Sequence, residues 1–169
     1  FDGKLVVACD GSTDPFVAAV DAQTGKTVWK QPRSVKARIS HSFVTSAVAV
    51  VDGQAQVFSP GPDHLAVYDL KDGKELAKVR APGWSVVPQP TFGHGLVFYN
   101  HDYDNPELMA AKLGGKGDVT ETDVVWRIDR GTSVHSRAER TDCSSVHQLL
   151  RIGARTCGPR EYQARIPVS

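Results

Sequence analysis

This chain is short of the features that announce most function classes. No apolar run approaches the ~18 residues a membrane helix needs. Hydrophobic residues make up 40% of its 169 residues, but they are scattered in short runs. Neither sign of charge dominates, since 20 basic side chains stand against 19 acidic ones, a formal net charge of +1. That balance leaves no electrostatic footprint for nucleic acid or an anionic membrane. Cysteine is scarce, with Cys9, Cys143 and Cys157 making three. An odd number at this spacing fits neither a zinc pattern nor a complete disulfide framework, so the thiols are read as unpaired. Phe1-Asp2-Gly3-Lys4 is turn-like, with no basic segment ahead of an apolar core, and is not read as a signal peptide. Before residue 130 no stretch carries the apolar period of a helix. No Gly-x-Ser-x-Gly elbow occurs, so Ser42, Ser46, Ser85 and the histidines are not assigned to a hydrolase.

What the chain has is a repeat. Asp21-Ala22-Gln23-Thr24-Gly25-Lys26-Thr27-Val28-Trp29 returns 48 residues later as Asp69-Leu70-Lys71-Asp72-Gly73-Lys74-Glu75-Leu76-Ala77. Ala77 stands where Trp29 stood. A looser copy ends in Val124-Val125-Trp126, with Trp126 49 residues beyond Ala77. A fixed period of this size marks a repeat architecture. Within the motif, Asp21 can bond its own backbone two residues on, and Gly25 supplies the positive φ that a tight turn needs. Thr27-Val28-Trp29-Lys30 then alternates faces as a strand. The motif is therefore a hairpin that delivers an indole to one side.

Strands and turns follow in a constant order. Leu5 to Cys9 and Val17 to Val20 precede the first motif. Ser42 to Val50, Gln54 to Ser59, Leu65 to Tyr68 and Glu75 to Val79 make a second unit, with Pro60-Gly61-Pro62 as a loop. Gly83-Trp84-Ser85-Val86-Val87-Pro88 matches Ser40 to Thr45 in position and opens a third. Leu96 to Tyr99, Leu108 to Ala111 and Val124 to Ile128 continue it, after a turn lengthened by Gly114-Gly115-Lys116-Gly117. Pro88 and Pro90 fall in its first strand, where a proline cannot donate to a ladder. Four short strands in about 45 residues is the spacing of a propeller blade. The expected fold is all-β: an incomplete β-propeller of about three four-stranded antiparallel blades, over 1–38, 39–81 and 82–130, with a degenerate C-terminal segment.

Asp21, Thr24, Gly25, Lys26, Val28 and Trp29 resemble the repeat of pyrroloquinoline-quinone-type (PQQ-like) β-propellers. Asp69, Gly73, Lys74 and Leu76 match it less fully, and Trp126 matches only its end. The run Gly83 to Pro88 and the turn Gly117-Asp118-Val119-Thr120 are similar to the exported bacterial branch, that of the outer-membrane assembly factor. The resemblance implies a periplasmic or exported parent and a binding or scaffold role without catalysis. Its alternative is a fragment of a quinoprotein oxidoreductase. The resemblance implies that most such propellers bind no quinone, whereas the quinoprotein dehydrogenases would use PQQ with a calcium ion, a catalytic Asp and often adjacent cysteines. No such set can be matched here, so neither PQQ nor calcium is assigned.

Beyond Gly131 the pattern breaks. Every lysine lies at or before Lys116, and the later bases are all arginine, from Arg137 to Arg165. Arg130-Gly131-Thr132-Ser133 still opens a fourth unit in register, and Glu161 to Pro167 resembles an outer strand. Residues 134–169 are therefore read as a degenerate or frame-shifted fourth blade. In the frame-shift reading, the codons for Val146 to Arg151 taken one base later allow an aromatic-rich strand and a Gly. Three to four blades do not close a ring that typically takes ~4–8, so the expected molecule is part of a larger propeller.

The candidate functional residues are few. His41 and Trp84 occupy equivalent places near the start of a first strand, and inner strands line a propeller's channel. They are the candidate channel-lining pair. His94, between two glycines, reads as a turn. His101-Asp102-Tyr103-Asp104-Asn105 gathers cation-binding groups without the spacing of a calcium loop and reads as a solvated connection. Trp29 and Trp126 read as packing between blades. No residue is assigned to catalysis, to a cofactor or to a metal. The expected partner is a protein or a small ligand, with no nucleic acid and no membrane span.

Overall fold

A computed structural model describes residues 1–84 and 86–128. The described residues form twelve strands in three sheets. β1 (Lys4–Cys9), β2 (Phe16–Asp21) and β3 (Thr27–Pro32) make the first, antiparallel and in sequence order. β4 (Ala47–Val51), β5 (Gln54–Gly61), β6 (His64–Asp69) and β7 (Glu75–Arg80) make the second. β8 (Thr91–Gly93), β9 (Leu96–His101), β10 (Glu107–Lys112) and β12 (Val124–Ile128) make the third. The expected degenerate or frame-shifted blade at 134–169 lies outside the described residues, as do Cys143 and Cys157.

The two motif turns are built alike. Asp21 Oδ1 accepts from the backbone N–H of Gln23 and Thr24 and from the Thr24 hydroxyl, at 3.1, 2.7 and 2.8 Å. Asp69 Oδ1 accepts from Lys71 N at 2.7 Å. In each turn the aspartate N–H donates to the lysine carbonyl five residues on, Lys26 or Lys74, at 2.8 and 2.9 Å. Each turn also places its glycine at positive φ, +69° for Gly25 and +76° for Gly73. The strand after the turn is bulged at matching places, with Val28 the extra residue opposite Ala19 and Val20, Leu76 opposite Val67 and Tyr68, and Val125 in the third sheet opposite Ala110 and Ala111. The repeat in the sequence is thus a repeat in backbone geometry.

Three boundaries differ from the sequence reading. The second unit's first strand starts at Ala47, not Ser42. Residues 42–46 instead run beside the segment they resemble: Phe43 N–H donates to the Val86 carbonyl at 2.9 Å, and the Gln89 amide to the Ser46 carbonyl at 3.3 Å. The third unit's first strand starts only at Thr91, after Pro88 and Pro90, because neither proline has an N–H to give the ladder. Pro60 and Gly61 are not loop but the end of β5, paired with Leu65 and His64. The lengthened turn also does more than lengthen. Its Gly117–Asp118 forms β11, which pairs parallel to Ala77 and Lys78 of β7 and gives the second sheet a fifth strand.

Both faces of the second sheet are buried. Along β6, Leu65 and Val67 enter a core with Val97, Tyr99, Met109 and Ala111 of the third sheet. Ala66 and Tyr68 enter one with Val17, Ala19 and Trp29 of the first. Successive side chains on a strand point to opposite faces, so one short apolar run serves two blade joints. These are the two cores that position everything below.

Candidate functional site

The densest constellation of motif residues lies at the first joint, between the first and second sheets. Trp29 is 6% exposed, and its Nε1–H donates to the Leu70 carbonyl at 2.8 Å. Its ring lies 6.2 Å from that of Tyr68, centre to centre. The indole rests directly on Gly73, where a Cβ would come within 2.6 Å of Cδ2 and Cε3. Gly73 is therefore fixed twice, by its positive φ and by the indole above it. The motif of one blade docks on the motif of the next. Lys26 and Lys74 hold the turns through their backbone, and their side chains are exposed.

A buried ion pair sits at the same joint. Arg33, just past β3, donates from Nε and one terminal nitrogen to both oxygens of Asp10, at 2.7 and 2.8 Å. It also donates to the carbonyls of Ser59 and Pro60, at 3.0 and 3.1 Å. The side chains are 1% and 2% exposed. Gly61 makes room for the guanidinium, since a Cβ there would fall 2.9 Å from Cζ. Bidentate geometry and two further acceptors are what allow such a charge to be buried. Beside it His64 is 2% exposed, with Nδ1 2.7 Å from the Pro62 carbonyl. Burial, assisted by Arg33, pushes its pKa from 6.5 to about 4. Burial likewise raises the Tyr68 hydroxyl.

The candidate channel residues have separate partners. His41 is exposed, and its Nδ1 faces the place where Gly11 would carry a Cβ, 3.9 Å away. Trp84 is half-buried, donates from Nε1 to Asp104 Oδ2 at 2.9 Å and packs at a tilt with its ring centre 5.7 Å from that of Tyr103. The run from His101 to Asp104 is occupied with local bonds. His101 Nε2 meets Glu107 at 2.5 Å and its Nδ1 meets the Pro82 carbonyl at 3.1 Å. Asp102 Oδ1 accepts from the N–H of Tyr103 and Asp104, at 2.8 and 3.3 Å. Trp126 is half-buried and packs at a tilt against Phe98 of its own sheet, with ring centres 5.8 Å apart. Among the described residues no three His, Cys, Asp or Glu side chains converge as a metal centre requires.

The sequence model of the family described as outer membrane protein assembly factor BamB matches residues 14–152. The chain belongs to this family. Among solved structures it is similar to BamB from Moraxella catarrhalis, with a TM-score of 0.51 and 12% identity over 80% of this chain and 37% of that one. It is also similar to the quinohemoprotein alcohol dehydrogenase of Comamonas testosteroni, with a TM-score of 0.53 and 19% identity over 75% of this chain and 19% of that one. The alcohol dehydrogenase ADHIIG of Pseudomonas putida HK5 gives 0.52 and 18%, with the same coverage of 75% and 19%. The chain thus spans less than half the length of each of these three structures. At such identities the likeness shows the fold, and the fold is that of a PQQ-like β-propeller repeat protein. No curated protein matched the chain.

Sequence reasoning missed Asp10, Arg33, His64 and Val119. Asp10 and Arg33 lie 23 residues apart with no motif joining them. The one signal for Val119 was the lengthened turn that carries it.

Proposed function

We propose that this chain serves a non-catalytic binding or scaffold role in the bacterial cell envelope, on the periplasmic side. Its partner would be a protein or a small ligand engaged by the loops and strand edges. The observation that carries the reading is the BamB family match over residues 14–152. The resemblance to quinoprotein dehydrogenases rests on shared fold alone, and fold does not imply function. The motif side chains support the same reading. Asp21, Asp69, Gly73 and Trp29 direct their polar groups and surfaces into turns and joints, which leaves them no chemistry to perform.

The test is calorimetric titration of the chain with PQQ and calcium, followed by dye-linked oxidation of a primary alcohol by the mixture. No heat of binding and no dye reduction are expected. Micromolar binding with alcohol-dependent reduction would replace this reading with that of a quinoprotein oxidoreductase fragment.

A further inference from the structure

The first joint contains a titratable group that neither packing nor the functional reading uses. His64 opens β6 on the face turned to the first sheet. Its Nδ1 lies 2.7 Å from the Pro62 carbonyl, which only accepts. The ring proton is therefore on Nδ1, and Nε2 carries the bare lone pair. Among the described residues that buried Nε2 has no hydrogen-bond partner. Among the described residues the charges that act on the ring can be placed. Arg33, from the segment after β3, disfavours a cation there, while Asp10, after β1, and Glu75, on β7, favour one. Asp10 is already engaged at both oxygens by Arg33. Arg80 of β7 is the ladder partner of His64. Asp63, next in the chain, gives its carboxylate to the N–H of Gly83 and Arg38, at 2.9 and 3.2 Å.

We propose that His64 is an acid-sensitive latch, holding the first sheet on the second while its ring is neutral and releasing it when Nε2 is protonated. A proton on Nε2 creates a second cation beside Arg33, in a place where Nε2–H meets no acceptor. Buried charge without a partner is costly, and the nearest relief is water. Water enters if β1–β3 part from β4–β7. The unfolded ring takes its proton near 6.5, the folded one only near 4. Above about pH 7 this group leaves stability unchanged. As pH falls from 6.5 towards 4 the unfolded or opened state binds more protons, and the folding equilibrium constant drops by close to tenfold per pH unit.

The experiment is NMR on the whole 169-residue chain between pH 7.5 and 4.5. The His64 ring should keep its neutral chemical shifts below pH 5.5. The Trp29 indole N–H, which bridges this joint to the Leu70 carbonyl, should lose exchange protection by up to about tenfold per pH unit below 6.5, after correction for the intrinsic rate. His64→Leu should flatten that loss. A His64 ring that titrates near its ordinary value overturns the proposal, and so does an equal loss in His64→Leu. If that variant does not fold, His64→Gln replaces it. Should both fail to fold, the ring titration of the unaltered chain decides.

Discussion

The two blade joints come from one repeat and are closed by different means. At the first, Trp29 lies on Gly73 and bonds to Leu70, and the Asp10–Arg33 pair ties the ends of β1 and β3 to β5. At the second, the tryptophan position is Ala77, and no indole crosses. The lengthened turn of the third sheet comes over instead. Gly117 pairs with Ala77, and Val119, 7% exposed, enters the core. Val119 N–H donates to the Lys78 carbonyl at 2.9 Å. Arg80 is held by Asp118 and, through its backbone, by Thr120, at 2.8 and 2.9 Å. The substitute fills the gap incompletely, leaving a cavity of about 20 Å³ lined by Ala77, Val119, Gly114 and Gly115 among others. A repeat can therefore lose its largest packing residue if a neighbouring turn grows to cover the place. The joint so made is held from outside by an exposed strap.

This difference can be broken at either end. Trp29→Ala should cost the most, about 3–5 kcal/mol in urea unfolding, because it removes both a buried indole and its bond to Leu70. An unchanged midpoint would show that the indole does not hold the first joint. Ala77→Trp should destabilise by about 1–3 kcal/mol rather than restore the motif, because Val119 occupies the space. Its cost should shrink in a Val119→Ala background, and additive costs would show that the two side chains do not compete. Val119→Ala alone should cost about 1.6 kcal/mol for two buried methyl groups at ~0.8 each, well below Trp29→Ala. The smallest effect concerns the strap's outer face. The Thr120 hydroxyl, and after it Arg80, hold the exposed Asp118 carboxylate down at about 2. Its ionised form favours the folded state above the ordinary value of 3.8, and that contribution is lost as pH falls through about 2. Thr120→Val should raise this pKa towards 3.8, read by NMR titration, with stability within about 0.5 kcal/mol of the parent.

The regular part of the fold was legible because the motif carries its own geometry. Asp21 and Gly25 announce a turn, and the same residue types at Asp69 and Gly73 announce it again, so the strands on either side fall into place. The apolar run Leu65-Ala66-Val67-Tyr68 announces a strand, and its burial on both faces is what the structure adds. The strap was not legible. Gly117–Asp118 is two polar, flexible residues with no apolar period, and what pairs them with β7 is the space left at Ala77. Gly61 read as loop because its reason lies elsewhere, in a guanidinium that reaches it from Arg33. The first-joint polar cluster escaped for the same cause: Asp10, Arg33 and His64 are brought together by tertiary packing, and each alone resembles an ordinary strand-end residue. His41 and Trp84, equivalent by position, have unlike partners, since the segments that carry them are irregular and bonded to each other.

The central claim is that the first joint is locked by the motif while the second is strapped by a turn. Native-state hydrogen exchange of two groups tests it most directly. The Trp29 indole N–H reports the first joint, and the Val119 backbone N–H, bonded to Lys78, reports the second. At pH 7.5, in rising urea, the account predicts that the indole exchanges only through global unfolding, with a steep dependence on denaturant. Val119 should exchange through a shallow local opening of residues 114–123, with lower protection. Equal protection and equal denaturant dependence at the two groups would contradict the account.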